Sequence, residues 1–533
     1  MRRRCENGVI WLTAAFFVMF IIIAAHYFTI CFEQKYSSSA AERSEFTISA
    51  GESQGTIYDR NMQPLNNTGH VWKAVAVPRA LDRETTARYA IDAKDFEEKF
   101  DKGDPFIFRC RSDTPESDGL TVFRLPERYS GRGTANHVLG YVSGDEGVSG
   151  VEYAYDRLLR GSDGENSVTY SIDGFGRVLI GDGKKVRRSS ADESGVVTTI
   201  DSEIQSICER CGSNIGRGAI VVADISSGDI LSMASFPDYS PNCLDTALND
   251  ERCPLIDRCL YSYGVGSIFK LVTACEAIDE GDGGYKYDCR GRIDVDGQNF
   301  NCHKLAGHGI QTMSRAMTNS CNTYFISLSR ELDAAAFRET AYRLGFGKEN
   351  YLCSGIIGSA GVLPTDRELK VPAELANFSF GQGKLTATPL QITQLCCAIA
   401  NDGEMPALRI IRGLTIDGKS VAGEKFLQSS RAMDIRTAGL LRQMMISAVR
   451  DNPESKARSE IVAAGAKTST AQTGRLDKKG EELCHAWITG FFPADKPRYA
   501  VTVLVEDGGY GNDSAAPVFR AIAENITRHF PEK

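Results

Sequence analysis

Residues 263–270 read YGVGSIFK and run on as LVTACEAI to a stop near Gly281. Glycines open the segment and apolar residues follow Ser267 at helical spacing, so a helix begins at or just before the serine. A separation of three places the Ser267 hydroxyl and the Lys270 amine on one helical face, with the serine at the end where the helix dipole favours developing negative charge. An alcohol is inert at neutral pH until a base takes its proton, and a lysine whose pKa is lowered by desolvation can do so. Taken alone, the pair is better described as an N-cap serine beside a solvated lysine, so the catalytic reading needs support from elsewhere in the chain.

Two clusters supply it. Ser320-Cys321-Asn322, within AMTNSCNTYF, begins or joins a helix and offers a second hydroxyl and an amide that can orient a carbonyl and relay a proton. Lys467-Thr468-Ser469-Thr470-Ala471-Gln472 follows Ile461-Val462-Ala463-Ala464 and precedes two strand-like runs, so it reads as a strand flanking the site, where a lysine and a threonine hydroxyl can clamp a carboxylate. Its edge N–H groups can complete an oxyanion hole. Around these clusters, Asp201-Ser202 caps a helix through Cys211, GAIVVADISSGDILSMAS reads as a hairpin, and CHAWITGFF, RYAVTVLVED and APVFRAIAENITRHF read as strand, strand and helix. From about Ser267 to Leu441 the pattern is mainly helical. The class is therefore α+β: one antiparallel sheet whose early hairpin pairs with its late strands, with helices over its faces.

The chain has 533 residues, 42% apolar and 24% charged, which excludes a disordered, collagen-like or polytopic membrane protein. Its 61 basic and 69 acidic residues give a net charge of −8, against a nucleic-acid partner. Val9 to Phe32 is an almost unbroken apolar run, about 36 Å as a helix, long enough to cross a bilayer. Arg2, Arg3 and Arg4 precede it, so the positive-inside bias places residues 1–8 in the cytoplasm and everything after the run outside. The rival is a cleaved secretory signal with Ser38-Ser39-Ala40 as its site, although the run exceeds a signal's apolar core. Residues 33–54 read as a linker. Residues 55–200 mix strand-like runs with an amphipathic helix near Asp92–Phe100 and carry no catalytic cluster. The 16 cysteines are scattered and include the adjacent Cys396-Cys397, which is no disulfide framework. Cys208 and Cys211 share one helical face, where core packing is the plainer reading than redox or metal chemistry.

S-x-x-K, S-x-N and K-T-[GS], in that order and about fifty and two hundred residues apart, resemble the penicillin-binding protein and serine β-lactamase superfamily. More specifically, nearly the whole chain resembles the class B penicillin-binding proteins, the monofunctional transpeptidases of cell-wall synthesis. Supporting stretches are Gly55-Thr-Ile-Tyr-Asp-Arg-Asn61, Gly150-Val-Glu-Tyr153, Thr199-Ile-Asp201, Gly381-Gln-Gly383, Thr386-Ala-Thr-Pro-Leu-Gln391, Phe491-Phe-Pro-Ala-Asp495 and Ala515-Ala-Pro517. The resemblance implies a pedestal over 55–200, which lifts the site and docks partners, and a transpeptidase domain over 201–533. It implies Ser267 as acylated nucleophile, Lys270 as its base, Ser320 and Asn322 for proton relay and positioning, and Lys467 and Thr468 on the terminal carboxylate of a D-Ala-D-Ala stem peptide. The N–H groups of Ser267 and Thr470 would form the oxyanion hole. Partners so implied are stem peptides, β-lactams, the membrane and a polytopic glycan polymerase, since no glycosyltransferase-like region precedes Gly55. No cofactor is required for the chemistry.

The third motif departs from the family's K-T-G. Ser469 adds a side chain on a strand close to the ligand, which implies slower acylation by bulky β-lactams than in a Ser469→Gly variant. Cys289, Cys302, His303, His308 and Cys321 surround the second motif, and the resemblance extends to members whose Cys and His residues here look able to hold zinc. Cys289, Cys302 and His308 are the expected ligands of a structural zinc, with a Cys289–Cys302 disulfide or unlinked thiols as the alternatives. A β-lactamase of the same fold would need a base-activated water, and no acidic motif supplies one. A penicillin-binding sensor or scaffold without catalysis is the remaining alternative, the short cytoplasmic tail weighing against a sensor. Division, elongation and sporulation roles are not separated by these residues.

Overall fold

The computed structural model describes residues 2–32, 45–52, 54–131, 133–144, 146–160, 165–180, 184–189, 194–423 and 429–531. Most of the linker expected over 33–54, and all of the rival cleavage site at 38–40, lie outside them. The apolar run forms one helix, α1 (Arg2–Phe32). Its stretch Gly8–Cys31 holds 24 residues with exposed side chains and no Asp, Glu, Lys or Arg, long and apolar enough to cross a membrane once.

The chain divides into two compact units. The smaller comprises Met1–Gln54, His70–Pro126 and Ser162–Ala191. After α1 it contains β1 (Glu45–Glu52), β2 (Gly69–Ala76), α2 (Ala93–Phe100), β3 (Phe106–Cys110), β4 (Leu120–Glu127), β5 (Glu165–Ser171) and β6 (Lys184–Arg187). These strands make two three-stranded sheets, ordered β1-β5-β6 and β3-β2-β4. Asp92 caps α2 by accepting from the Lys94 and Asp95 N–H groups, as its short carboxylate at the first turn allows. The one buried face of α2 presents Phe96 to Phe106 and Phe108 of β3, with ring centroids 5.5 and 4.9 Å away.

The larger unit comprises Gly55–Gly69, Glu127–Gly161 and Asp192–Lys533. Stretches 55–69 and 127–161, which the sequence reading places in the pedestal, thus pack with the motif-bearing half. Thr56–Tyr58 pairs in parallel with Gly195–Val197. Buried Glu152 accepts from Arg128 Nε at 2.8 Å, Tyr129 OH at 3.0 Å and Asn66 Nδ2 at 3.2 Å, tying both stretches together. No sequence periodicity marks such long-range polar ties.

This unit runs α3 (Ser202–Cys211), β7 (Gly218–Asp224), β8 (Ile230–Phe236), α4 (Lys270–Asp279), β9 (Lys286–Cys289), β10 (Arg292–Val295), β11 (Gln298–Asn301) and β12 (Gly309–Thr312). It continues with α5 (Asn322–Ser329), α6 (Pro389–Ala400), α7 (Ile435–Arg450), β13 (Gly465–Leu476), β14 (Glu482–Phe492), β15 (Tyr499–Val505) and α8 (Gly511–His529). As expected, β7 and β8 form a hairpin that joins the late strands in one antiparallel sheet, ordered β8-β7-β15-β14-β13. Strand alternation sends Ile220, Val222, Ile488, Val501 and Val503 to the face covered by α3 and α8, and Val221, Trp487, Phe491 and Leu504 to the helical lobe with α4 and α6. Cys208 is buried in the first of these cores, and burial pushes its thiol pKa up, as core packing rather than redox chemistry requires. The expected helical stretch after Ser267 is interrupted: β9 pairs with β12 and β10 with β11. These four-residue strands are half exposed and separated by Gly and Asp turns, too short to show a period of two.

Candidate active site

Ser267 lies in a single 3-10 turn, Gly266–Phe269, that runs directly into α4 at Lys270. The turn is held from several sides. Gly266 has φ +60° and its N–H donates to Gly381 O at 2.7 Å, while Trp487 Nε1 of β14 donates to Gly264 O at 3.0 Å. A Cβ on Gly266 would overlap Ser469 Oγ and lie 2.8 Å from Thr470 O, so only glycine fits where the turn meets β13. Gly381, from the expected G-Q-G stretch, also has no room for a side chain against Gly266 O. Ser267 is left half buried at the surface of this packing.

Behind it, Lys270 is completely buried. Its Nζ donates to Ser320 O and Asn322 Oδ1, both at 2.7 Å, and lies 3.2 Å from Ser320 Oγ. Ser320 sits at φ +48° just before α5, a conformation that turns both its carbonyl and its hydroxyl toward the amine. Lys467 Nζ reaches the same hydroxyl at 3.1 Å and donates to Thr468 O at 2.9 Å. Two buried amines thus share one serine oxygen. Burial lowers the Lys270 pKa well below the ordinary lysine value, and the neighbouring Lys467 charge lowers it further. Burial alone pushes Lys467 down to about 8. A neutral amine has two N–H donors and one lone pair, so once the two 2.7 Å bonds take the hydrogens of Lys270, the lone pair is what remains for the Ser320 hydroxyl 3.2 Å away.

Lys270, Ser320, Asn322 and Lys467 therefore come from three separate segments into one hydrogen-bonded unit, with Ser267 three residues before Lys270 on the adjoining turn. Thr468 lines, with Ser320 and Lys467, a cavity of 460 Å³ that extends to His308, Asn452 and Asn512. Thr470 Oγ1 accepts from Gly511 N at 3.3 Å at the start of α8, which leaves its O–H hydrogen available to donate. Ser469 departs from expectation. It is buried, and its Oγ donates to Val265 O at 2.7 Å, so the side chain is turned into the packing under the nucleophile turn and does not narrow the ligand groove. Alternation along β13 decides this, since Lys467, Ser469 and Ala471 share the face that meets the turn.

Next to the second motif, Cys289, Cys302, His308 and Cys321 place their ligating atoms within 4.8 Å of one another. Cys289 Sγ and Cys302 Sγ each lie 3.5 Å from His308 Nδ1, and Cys302 Sγ lies 3.9 Å from Cys321 Sγ. From Cys31 onward the cysteines are free thiols, so the Cys289–Cys302 disulfide is not formed. Cys321, flanked by Ser320 and Asn322, is the member that sequence reasoning left out of the ligand set.

Residues 218–524 match the family described as penicillin binding protein transpeptidase domain, more than half of the chain. The chain belongs to the penicillin-binding protein transpeptidase family. Stage V sporulation protein D of Bacillus subtilis is 27% identical over 541 residues, covering 94% of this penicillin-binding protein and 82% of the relative. Peptidoglycan D,D-transpeptidase FtsI of Escherichia coli is 27% identical over 459 residues, 79% of this chain and 72% of its own. The fold is also that of penicillin-binding protein A from Mycobacterium tuberculosis, whose structure is an imipenem acyl-enzyme complex. The match has a TM-score of 0.65 over 89% of this chain and 98% of that one, at 22% identity. These relatives agree with a class B penicillin-binding protein, as the resemblance over nearly the whole chain implies.

Proposed function

We propose that this penicillin-binding protein is a peptidoglycan D,D-transpeptidase that works through an acyl-enzyme on Ser267 and is inhibited covalently by β-lactams. The observation that carries the reading is the buried amine of Lys270, one turn from Ser267 and bonded at 2.7 Å to both Ser320 O and Asn322 Oδ1. In this scheme Ser267 Oγ attacks the carbonyl carbon between the two D-alanines of a stem peptide while Lys270 Nζ takes its proton. The N–H groups of Ser267 and Thr470 stabilise the oxyanion, each such donor being worth about 3–4 kcal/mol. The proton returns through Ser320 Oγ to the departing D-Ala amine as the C–N bond breaks. An amine of a second stem peptide then attacks the ester, forms the cross-link and restores the Ser267 hydroxyl. Lys467, in its charged form, and Thr468 hold the terminal carboxylate during acylation.

The smaller unit serves as the pedestal, and α1 as a single membrane anchor with residues 1–8 cytoplasmic and the site outside. The glycan strands come from a separate membrane polymerase. Catalysis uses no cofactor. A structural zinc ion fits Cys289, Cys302, His308 and Cys321. Tetrahedral zinc, with bonds of about 2.3 Å to sulfur and 2.0–2.1 Å to nitrogen, sets its ligand sulfurs about 3.8 Å apart and sulfur and nitrogen about 3.6 Å apart, close to the distances between these side chains. Such an ion would cross-link the β9–β12 region to the second motif and take no part in acyl transfer.

Labelling with a fluorescent penicillin tests the reading. The native chain is expected to label and hold the label through slow turnover, and Ser267→Ala to stay dark. Rapid loss of label would favour a β-lactamase, and an unlabelled native chain a scaffold.

A further inference from the structure

Ser469 lies between Thr468 and Thr470 on the edge strand, yet it is only 3% exposed. Its hydroxyl donates to Val265 O, two residues before Ser267. Its cross-strand partner in β14 is Trp487, whose Nε1 donates to the preceding carbonyl, Gly264 O. Two neighbouring side chains on one face of the sheet therefore hold two consecutive carbonyls of the nucleophile turn. They do so from different strands. Trp487 ties the turn to β14, whereas Ser469 ties it to β13, the strand whose next residue supplies the Thr470 N–H. As the edge strand, β13 has a ladder partner on one side only, so its position against the turn depends on side-chain ties of this kind. Gly266 completes the fit, because the space its missing Cβ leaves is taken by Ser469 Oγ and Thr470 O.

We propose that Ser469 is a positioning residue for acyl transfer: its hydroxyl fixes the spacing between the two main-chain oxyanion donors, at Ser267 on the turn and Thr470 on the strand. The inference rests on the acyl-enzyme reading above. A glycine, which the K-T-G form of the motif carries here, has no hydroxyl with which to make this tie. Oxyanion donors act only when they meet the developing charge at hydrogen-bond distance, and small misplacements are costly in rate. Without the hydroxyl, the buried Val265 O also loses its link to the strand, keeping only the bond it makes as the cap of the turn.

The test uses the full chain in detergent, treated with a penicillin carrying a ¹³C label at the β-lactam carbonyl. Two quantities are read for the native chain, Ser469→Ala and Ser469→Gly: the acylation rate constant separated from the dissociation constant of the prior complex, and the acyl carbonyl band in the isotope-edited infrared spectrum. The band reports hydrogen bonding to the ester oxygen in acylated molecules alone, so partial misfolding does not move it. Both variants are expected to acylate about tenfold more slowly, with the dissociation constant within about twofold of native. Their band should shift to higher wavenumber as donor contact weakens. A native band and rate constant in Ser469→Ala, or faster acylation in Ser469→Gly, would overturn the inference while leaving the acyl-enzyme reading intact. A native chain that forms no adduct on Ser267 would overturn both.

Discussion

Lys467 offers the sharpest quantitative handle on the site. It is 3% exposed, and its pKa falls from 10.5 to about 8 because burial removes water from the ammonium. That fall corresponds to a preference of about 3 kcal/mol for the neutral amine relative to water. The proposed chemistry needs the opposite states in the two lysines: Lys270 neutral to accept a proton, and Lys467 charged to hold a carboxylate. Second-order acylation by a β-lactam reports the free enzyme, so its rate should climb on the acid side as Lys270 loses its proton and decline on the alkaline side as Lys467 does. At pH 9, one unit above the Lys467 value, about a tenth of the molecules keep that charge, and the rate should stand about tenfold below its plateau. Lys467→Arg retains a cation throughout this range. Whatever its absolute activity, its normalised profile should lack the decline between pH 8 and 9. Stopped-flow acylation with a chromogenic cephalosporin checks this. A native profile without the decline near pH 8, or an identical decline in the arginine variant, would refute the division of roles between the two amines.

Other expectations follow from the same packing. Trp487→Phe replaces the indole by a smaller ring and removes the donor to the half-buried Gly264 O; a loss of about 1 kcal/mol from the hydrogen bond should appear as a lowered midpoint in thermal unfolding. Gly266→Ala should cut acylation by more than tenfold, since φ +60° and the overlap with Ser469 Oγ both oppose a side chain; adding Ser469→Gly should recover part of that loss, measured by penicillin labelling rates. Purified protein should carry about one zinc per chain by elemental analysis, Cys321→Ser should lower that several-fold, and chelation should lower the unfolding temperature. Metal far below one per chain in the native protein would remove the zinc site.

Much of this site can be read in the chain before any coordinates. The three-residue spacing of Ser267 and Lys270 is a local property of a helix start, and the strand character of Lys467–Gln472 follows from the apolar runs around it. Asp92 and Asp201 announce their helices because a cap acts within one turn. What stays hidden depends on contacts far apart in sequence. Whether Ser469 faces ligand or packing is decided by the register of β13 on β14 and by where the 263–266 turn docks. Cys321 becomes a fourth candidate ligand only when the β9–β12 region folds back on the start of α5 and brings Cys302 within 3.9 Å. The assignment of 55–69 and 127–161 to the larger unit likewise rests on distant partners, the pairing of Thr56–Tyr58 with Gly195–Val197 and the bond from Ala135 N to Glu209, and no local pattern encodes it.

The central claim is that one hydroxyl, Ser267, carries the acyl group. Peptide-mapping mass spectrometry of the full chain after brief exposure to a penicillin tests it most directly. A single adduct of the drug's mass on the peptide containing Ser267, absent from Lys270→Ala, is the predicted result; an adduct on any other residue, or full modification of Ser267 without Lys270, would contradict it.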